Sequence, residues 1–67
     1  MTCLFRVEAH DGNGWRFGIR MNGNKRLPEF CGLTFAEHFV TRAEALKLKA
    51  DASRLCGGTL RVARIDD

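Results

Sequence analysis

The run Thr41-Arg42-Ala43-Glu44-Ala45-Leu46-Lys47-Leu48-Lys49-Ala50-Asp51-Ala52-Ser53-Arg54-Leu55-Cys56-Gly57-Gly58 decides the fold, because it is the one clear helix in the sequence. Thr41 is a good N-cap: its hydroxyl can accept from the free amides of the first turn. Glu44, three residues on, completes a Thr-x-x-Glu capping box. Alanine, leucine and lysine dominate the body and favour helix. Gly57 and Gly58 end it, since glycine takes the left-handed cap conformation without a steric penalty.

The faces of this helix divide the residues. At 100° per residue, Ala45, Leu48, Ala52, Leu55 and Cys56 form one stripe, the expected core face. Glu44, Lys47, Asp51 and Arg54 fall on the wet side. Leu46, with Ala43 and Ala50 beside it, belongs to neither group. A single exposed leucine is ordinary. The sharper reading makes Leu46, with Lys49 and Arg42, a small docking patch.

Both flanks alternate with period two, as strands do. Cys3, Phe5, Val7 and Ala9 alternate with Leu4, Arg6, Glu8 and His10. After the turn signal Asp11-Gly12-Asn13-Gly14, Trp15, Phe17, Ile19 and Met21 alternate with Arg16, Gly18 and Arg20. The two runs are expected to pair as an antiparallel hairpin. Asn22-Gly23-Asn24-Lys25 is a second turn, its Asn-Gly pair suited to type I′ geometry. Pro28 argues against a central strand over residues 26–32, which are expected to form a loop or an edge. Residues 33–40 are expected to supply the third strand, and residues 59–65 the fourth. The expected architecture is two-layer α+β in the order β-β-β-α-β: an antiparallel sheet of three to four strands with the helix on one face.

A chain of 67 residues is expected to be a single domain, burying only about 60% of its unfolded surface, with no room for a deep cleft. Eleven basic residues, eight of them arginine, stand against eight acidic ones, for a net charge of +3. The acids are interspersed, so the field is mild and not that of a dedicated nucleic-acid binder. Cys3, Cys31 and Cys56 are odd in number and widely spaced, and no leader or membrane-length apolar run is visible, which points to a reducing cytoplasmic setting.

Candidate chemistry is sparse. His10, His38 and the cysteines lack the paired spacing of a zinc site, so no metal or other cofactor is expected. A nucleophilic pair of Cys31 with a histidine lacks an orienting third group, so no enzymatic activity is expected. The outward face of the sheet is the strongest candidate surface. Arg6, Arg16, Arg20 and Arg61 share it, opposite Trp15, Phe17, Ile19 and Val62, and Gly18 among them would admit a close backbone approach. An arginine-rich strand face suits phosphates or an acidic protein. The bland reading is that a one-sided antiparallel sheet needs polar residues outside, with Glu8 blunting the charge.

Gly14-Trp15-Arg16-Phe17, Gly23-Asn24-Lys25-Arg26 and Phe39-Val40-Thr41-Arg42-Ala43-Glu44-Ala45 resemble the N-terminal arm-binding domains of phage integrases. Those domains place three strands before one helix and use the sheet on DNA. The start of the helix together with Gly57-Gly58-Thr59-Leu60-Arg61-Val62 resembles small phage and bacterial proteins of about this length, anti-CRISPR inhibitors among them. That resemblance implies a non-catalytic, stand-alone protein that docks on a macromolecular partner, with a phage or mobile-element inhibitor of a host nucleic-acid-handling complex as its most concrete form. The expected contact residues are Arg6, Arg16, Arg20, Arg61, Leu46 and Lys49. Glu8, Asp11, Glu37 and Asp66-Asp67 are candidates to occupy basic surfaces of such a complex. The alternative is direct nucleic-acid binding through the arginine face. Either a monomer or a homodimer formed through Leu46 or an edge strand fits the pattern.

Overall fold

The computed structural model describes residues 4–55 and 58–65. Cys3, Cys56, Gly57 and the Asp66-Asp67 pair lie outside the described residues. The elements are β1 (Leu4–His10), β2 (Trp15–Asn22), β3 (Leu27–Gly32), a single 3-10 turn at Leu33–Phe35, α1 (Arg42–Leu55) and β4 (Thr59–Ile65). The strands form one sheet in the order β3-β2-β1-β4, and every neighbouring pair is antiparallel. This is the α+β arrangement, with the helix on one face.

The cap of α1 follows from its sequence. The Glu44 amide donates to Thr41 Oγ1 at 3.3 Å, and the Thr41 hydroxyl donates to Glu44 Oε1 at 2.9 Å. The Glu44 side chain thus reaches the Thr41 hydroxyl, not the backbone amide that a capping box would engage. Replacing Thr41 with alanine is expected to cost about 1 kcal/mol, as loss of an N-cap usually does. Thermal unfolding should read that as roughly 4–8 °C in a domain of this size.

Ala45, Leu48 and Ala52 are buried and pack with Val7 of β1 and Ile19 of β2, while Phe5, Phe39, Leu60 and Val62 close around them. Their small side chains let α1 sit close to the sheet. Leu55 departs from the expected stripe. It is 57% exposed, because the last turn of the helix extends past the core.

The third strand is not where the alternation placed it. Residues 27–32, not 33–40, pair with β2, from Asn22↔Leu27 to Phe17↔Gly32. Pro28 is tolerated because β3 is an edge strand, where a missing amide need not break a ladder. The turn between them also differs from the two-residue form. Asn22 Oδ1 accepts from the amides of Asn24 and Lys25, and the Arg26 amide donates to the Asn22 carbonyl at 2.7 Å. The left-handed position falls on Arg26, at φ 55°, so the loop holds four residues.

Residues 33–40 form a connection that crosses the sheet from one face to the other. Beyond the Glu8↔Gly18 pair, β1 and β2 have no further register partners. The connection takes up the hydrogen bonding there. The Glu37 amide donates to the Ile19 carbonyl of β2 at 3.2 Å, and Phe39 exchanges two 2.8 Å bonds with Phe5 of β1. Ala36 precedes this gap and is buried against Gly18 on the face away from the helix. Phe39 follows it and joins the helix-side core.

Candidate binding surfaces

Register assigns the faces. Val7 pairs with Val62 and Ala9 with Leu60 on the helix side, so Arg6, Glu8, Arg61 and Ala63 share the other, open side. Gly18 pairs with both Glu8 and Cys31, and Arg20 pairs with Glu29, so these too belong to the open side.

The centre of the open face is a carboxylate held between two guanidinium groups. Glu8 is buried, with only 4% of its surface exposed. Its Oε2 accepts from Arg6 Nε at 2.8 Å, and its Oε1 accepts from Arg61 Nε at 2.9 Å. Burial alone pushes the Glu8 carboxyl up, but the hydrogen bonds from Arg61 and Arg6 and their charges outweigh it and hold the carboxyl below its ordinary value. Arg6 also donates to the Leu33 carbonyl at 3.3 Å, which ties the connection to the sheet. Glu8 is therefore not available to occupy a partner's basic surface, because its carboxylate is consumed inside this protein.

The remaining arginines carry acids as well. Arg20 Nε donates to Glu29 Oε1 at 2.8 Å, and Asn22 Nδ2 donates to Glu29 Oε2 at 3.1 Å. The Arg20 hydrogen bond, then that from Asn22, lowers the Glu29 carboxyl from its ordinary value. Arg16 stands apart at the first hairpin, 4.0 Å from Asp11. The four arginines thus face three carboxylates. An arginine row read from sequence as a phosphate track is nearly balanced in charge, which weakens it as an electrostatic footprint.

Trp15 is not opposite the arginines. Arg61 lies over its ring with 4.1 Å from guanidinium carbon to centroid, and the His10 ring meets it edge-on at 5.1 Å. The cause is a bulge. Ala9 pairs with Phe17, but His10 pairs with Trp15, so β2 carries one extra residue there. A one-residue shift moves everything beyond it to the other face.

Gly18 does admit a close approach, but from the protein's own chain. A Cβ built there would lie 2.4 Å from Ala36 Cβ. Cys31, beside it on β3, is a free thiol whose burial pushes its pKa up, away from the reactive thiolate. Among the described residues no group of three or more His, Cys, Asp and Glu is placed to hold a metal ion, and no helix is long and apolar enough to cross a membrane.

On α1, Leu46 is exposed and Lys49 half-buried. The larger apolar surface lies elsewhere. Phe17, Met21, Leu27, Phe30 and Leu55 are all between 38% and 57% exposed. Phe17 and Met21 of β2 lie on the helix side with Phe30 of β3, which pairs with Ile19. Phe17 and Phe30 line one depression of about 320 Å³ with Ala9, His10 and Asp11. Met21, Leu27 and Leu55 line a second groove, of about 190 Å³, between the hairpin and the end of α1.

Sequence patterning placed Phe17 and Met21 inside and did not single out Phe30. A geometric signal was present. Four strands at a spacing of about 4.8 Å make a sheet about 19 Å wide, and one helix about 10 Å across covers about half of it. The helix packs on all four strands, so what stays exposed on β2 and β3 is the side chains that flank it, Phe17, Met21 and Phe30. The chain matches no protein-family model, no curated protein and no solved structure in the three comparisons made with it.

Proposed function

We propose that this protein is a non-catalytic docking protein that binds a protein partner through the apolar, helix-side face of β2 and β3. The observation that carries this reading is the pairing of Phe17 and Phe30, 42% and 50% exposed, in one depression with Ala9. Exposed aromatic side chains that share a concave apolar site are characteristic of interface hot spots. The arginines of the open face, already matched with Glu8, Glu29 and Asp11, speak for a protein surface over a nucleic-acid one. Occlusion of one surface of a host nucleic-acid-handling complex, as a phage or mobile-element inhibitor would achieve it, is the most concrete form of this function. It requires only such a docking face and no catalytic groups.

The test is affinity capture with the wild-type protein, with Phe17→Ser/Phe30→Ser, and with Arg16→Glu/Arg20→Glu. Wild type and the arginine variant are expected to capture the same partner in stoichiometric amount. The phenylalanine variant, folded by amide NMR, is expected to lose at least about 30-fold in affinity, as removal of a hot-spot aromatic does. Retention by the phenylalanine variant would refute the reading. A salt-sensitive shift of duplex DNA that Arg16→Glu/Arg20→Glu abolishes would establish the nucleic-acid alternative instead.

A further inference from the structure

The docking face has a second part with a different chemistry. The groove between the β2–β3 hairpin and the last turn of α1 is lined by apolar Met21, Leu27, Pro28 and Leu55 and by Arg26 and Arg54. Among the described residues of that lining Asp51 is the one carboxylate. Among the described residues neither Arg26 nor Arg54 has a salt-bridge partner, whereas Arg6, Arg16, Arg20 and Arg61 all have carboxylate partners. A free guanidinium beside an exposed apolar surface lacks the carboxylate it is shaped to bind.

We propose that this groove receives an acidic segment of the protein partner, with an apolar anchor side chain between Leu27 and Leu55 and a neighbouring carboxylate on Arg26 and Arg54. The proposal rests on the protein-docking reading and names the chemistry of the partner. Charge complementarity selects this occupant. A two-fold contact between copies of this chain would bring two grooves together, each with two arginines against one Asp51, and each copy carries a net charge of +3. A nucleic acid would press its phosphates onto Met21, Leu27 and Leu55, which offer them no hydrogen bond. An acidic, apolar peptide satisfies both kinds of lining group. A groove of about 190 Å³ accommodates one or two side chains, so the contact is an anchor and its flanking charge.

Selection of random dodecapeptides on the immobilised protein tests this. Enriched peptides are expected to carry Leu, Ile, Met or Phe within four residues of an Asp or Glu. As synthetic peptides they should shift the amide resonances of Met21, Arg26, Leu27, Arg54 and Leu55. Arg26→Glu/Arg54→Glu, with an otherwise unchanged spectrum, should weaken them about tenfold or more. Replacing their acids by Lys should remove binding. The proposal is overturned if enrichment fails, if the enriched peptides are neutral or basic, or if the double variant binds them equally well. It is also overturned if a concentration-dependent dimer of this chain buries the groove. Peptides that settle in the Phe17–Phe30 depression without a preference for charge would remove this inference and leave the docking reading standing.

Discussion

Replacing Gly18 with valine is expected to destabilise this protein by about 3 kcal/mol, the upper end of the usual cost of overpacking. A chain of this length is stable by roughly 3–10 kcal/mol in total, so the loss is a large part of the whole. Local preference predicts the opposite sign, because a β-branched residue is favoured over glycine within a strand. The reason for the reversal is Ala36. Its Cβ stands 2.4 Å from where a Cβ on Gly18 would be, its Cα 3.3 Å away, and the Gly32 carbonyl 3.5 Å. These are backbone atoms and the stub of an alanine, so no flexible side chain can swing aside. The connection must lift off the sheet, and with it the bonds of Glu37 to Ile19 and of Phe39 to Phe5. Urea unfolding measures the loss, and hydrogen exchange at the Phe5, Glu37 and Phe39 amides locates it. Gly18→Ala should cost less, and Ala36→Gly in the same chain should recover about 1 kcal/mol of that cost as a coupling between the two sites. A valine variant as stable as wild type would refute the contact.

Glu8→Ala is expected to cost about 2–3 kcal/mol, or roughly 10–20 °C in melting temperature. Removing one partner of a buried ion pair leaves the other charge uncompensated, which costs about 3–5 kcal/mol when the burial is complete. Here Arg61 keeps 48% of its side chain in water, so the lower figure applies. The substitution also leaves Arg6 and Arg61 facing each other with nothing between them. Because the folded-state pKa of Glu8 is held below its ordinary value of 4.5, the contribution is complete above that value and is lost as the pH falls through the depressed one. Wild type should therefore lose stability below about pH 4.5 more steeply than Glu8→Gln. Equal acid slopes for the two proteins would refute this role for the carboxylate.

Much of the architecture was legible in the residues. The Thr41–Glu44 cap and the Ala-Leu-Ala stripe defined α1, and the turn residues around Asp11 set the β1–β2 hairpin. Glu8 beside an excess of arginine implied a neutralised outer face. What failed did so for local reasons. Residues 33–40 alternate as a strand does, but Phe39 alone of them pairs as one. Pro28 weakened the reading of β3 because sequence does not say which strand is an edge. The bulge opposite His10 leaves no mark in composition, so Trp15 was assigned to the wrong face.

The candidate surfaces divide in the same way. Arg6, Arg20 and Arg61 could be placed on one face from alternation, because side-chain direction along a regular strand is a local property, whereas Arg16 falls in the bulge. The pairing of Arg20 with Glu29 and of Arg16 with Asp11, and the exposure of Phe17, Phe30 and Leu55, could not be read that way. By itself, the sequence determined α1 and its boundaries, the strands β1, β2 and β4, and the faces of regular strands, all set by backbone preference and period over a few residues. Tertiary structure alone decided which strand lies at the edge, where the connection crosses the sheet, and which apolar residues one helix leaves uncovered. Those outcomes depend on contacts between residues far apart in the chain and on how one helix, packed on all four strands, shields some side chains of the sheet and not others.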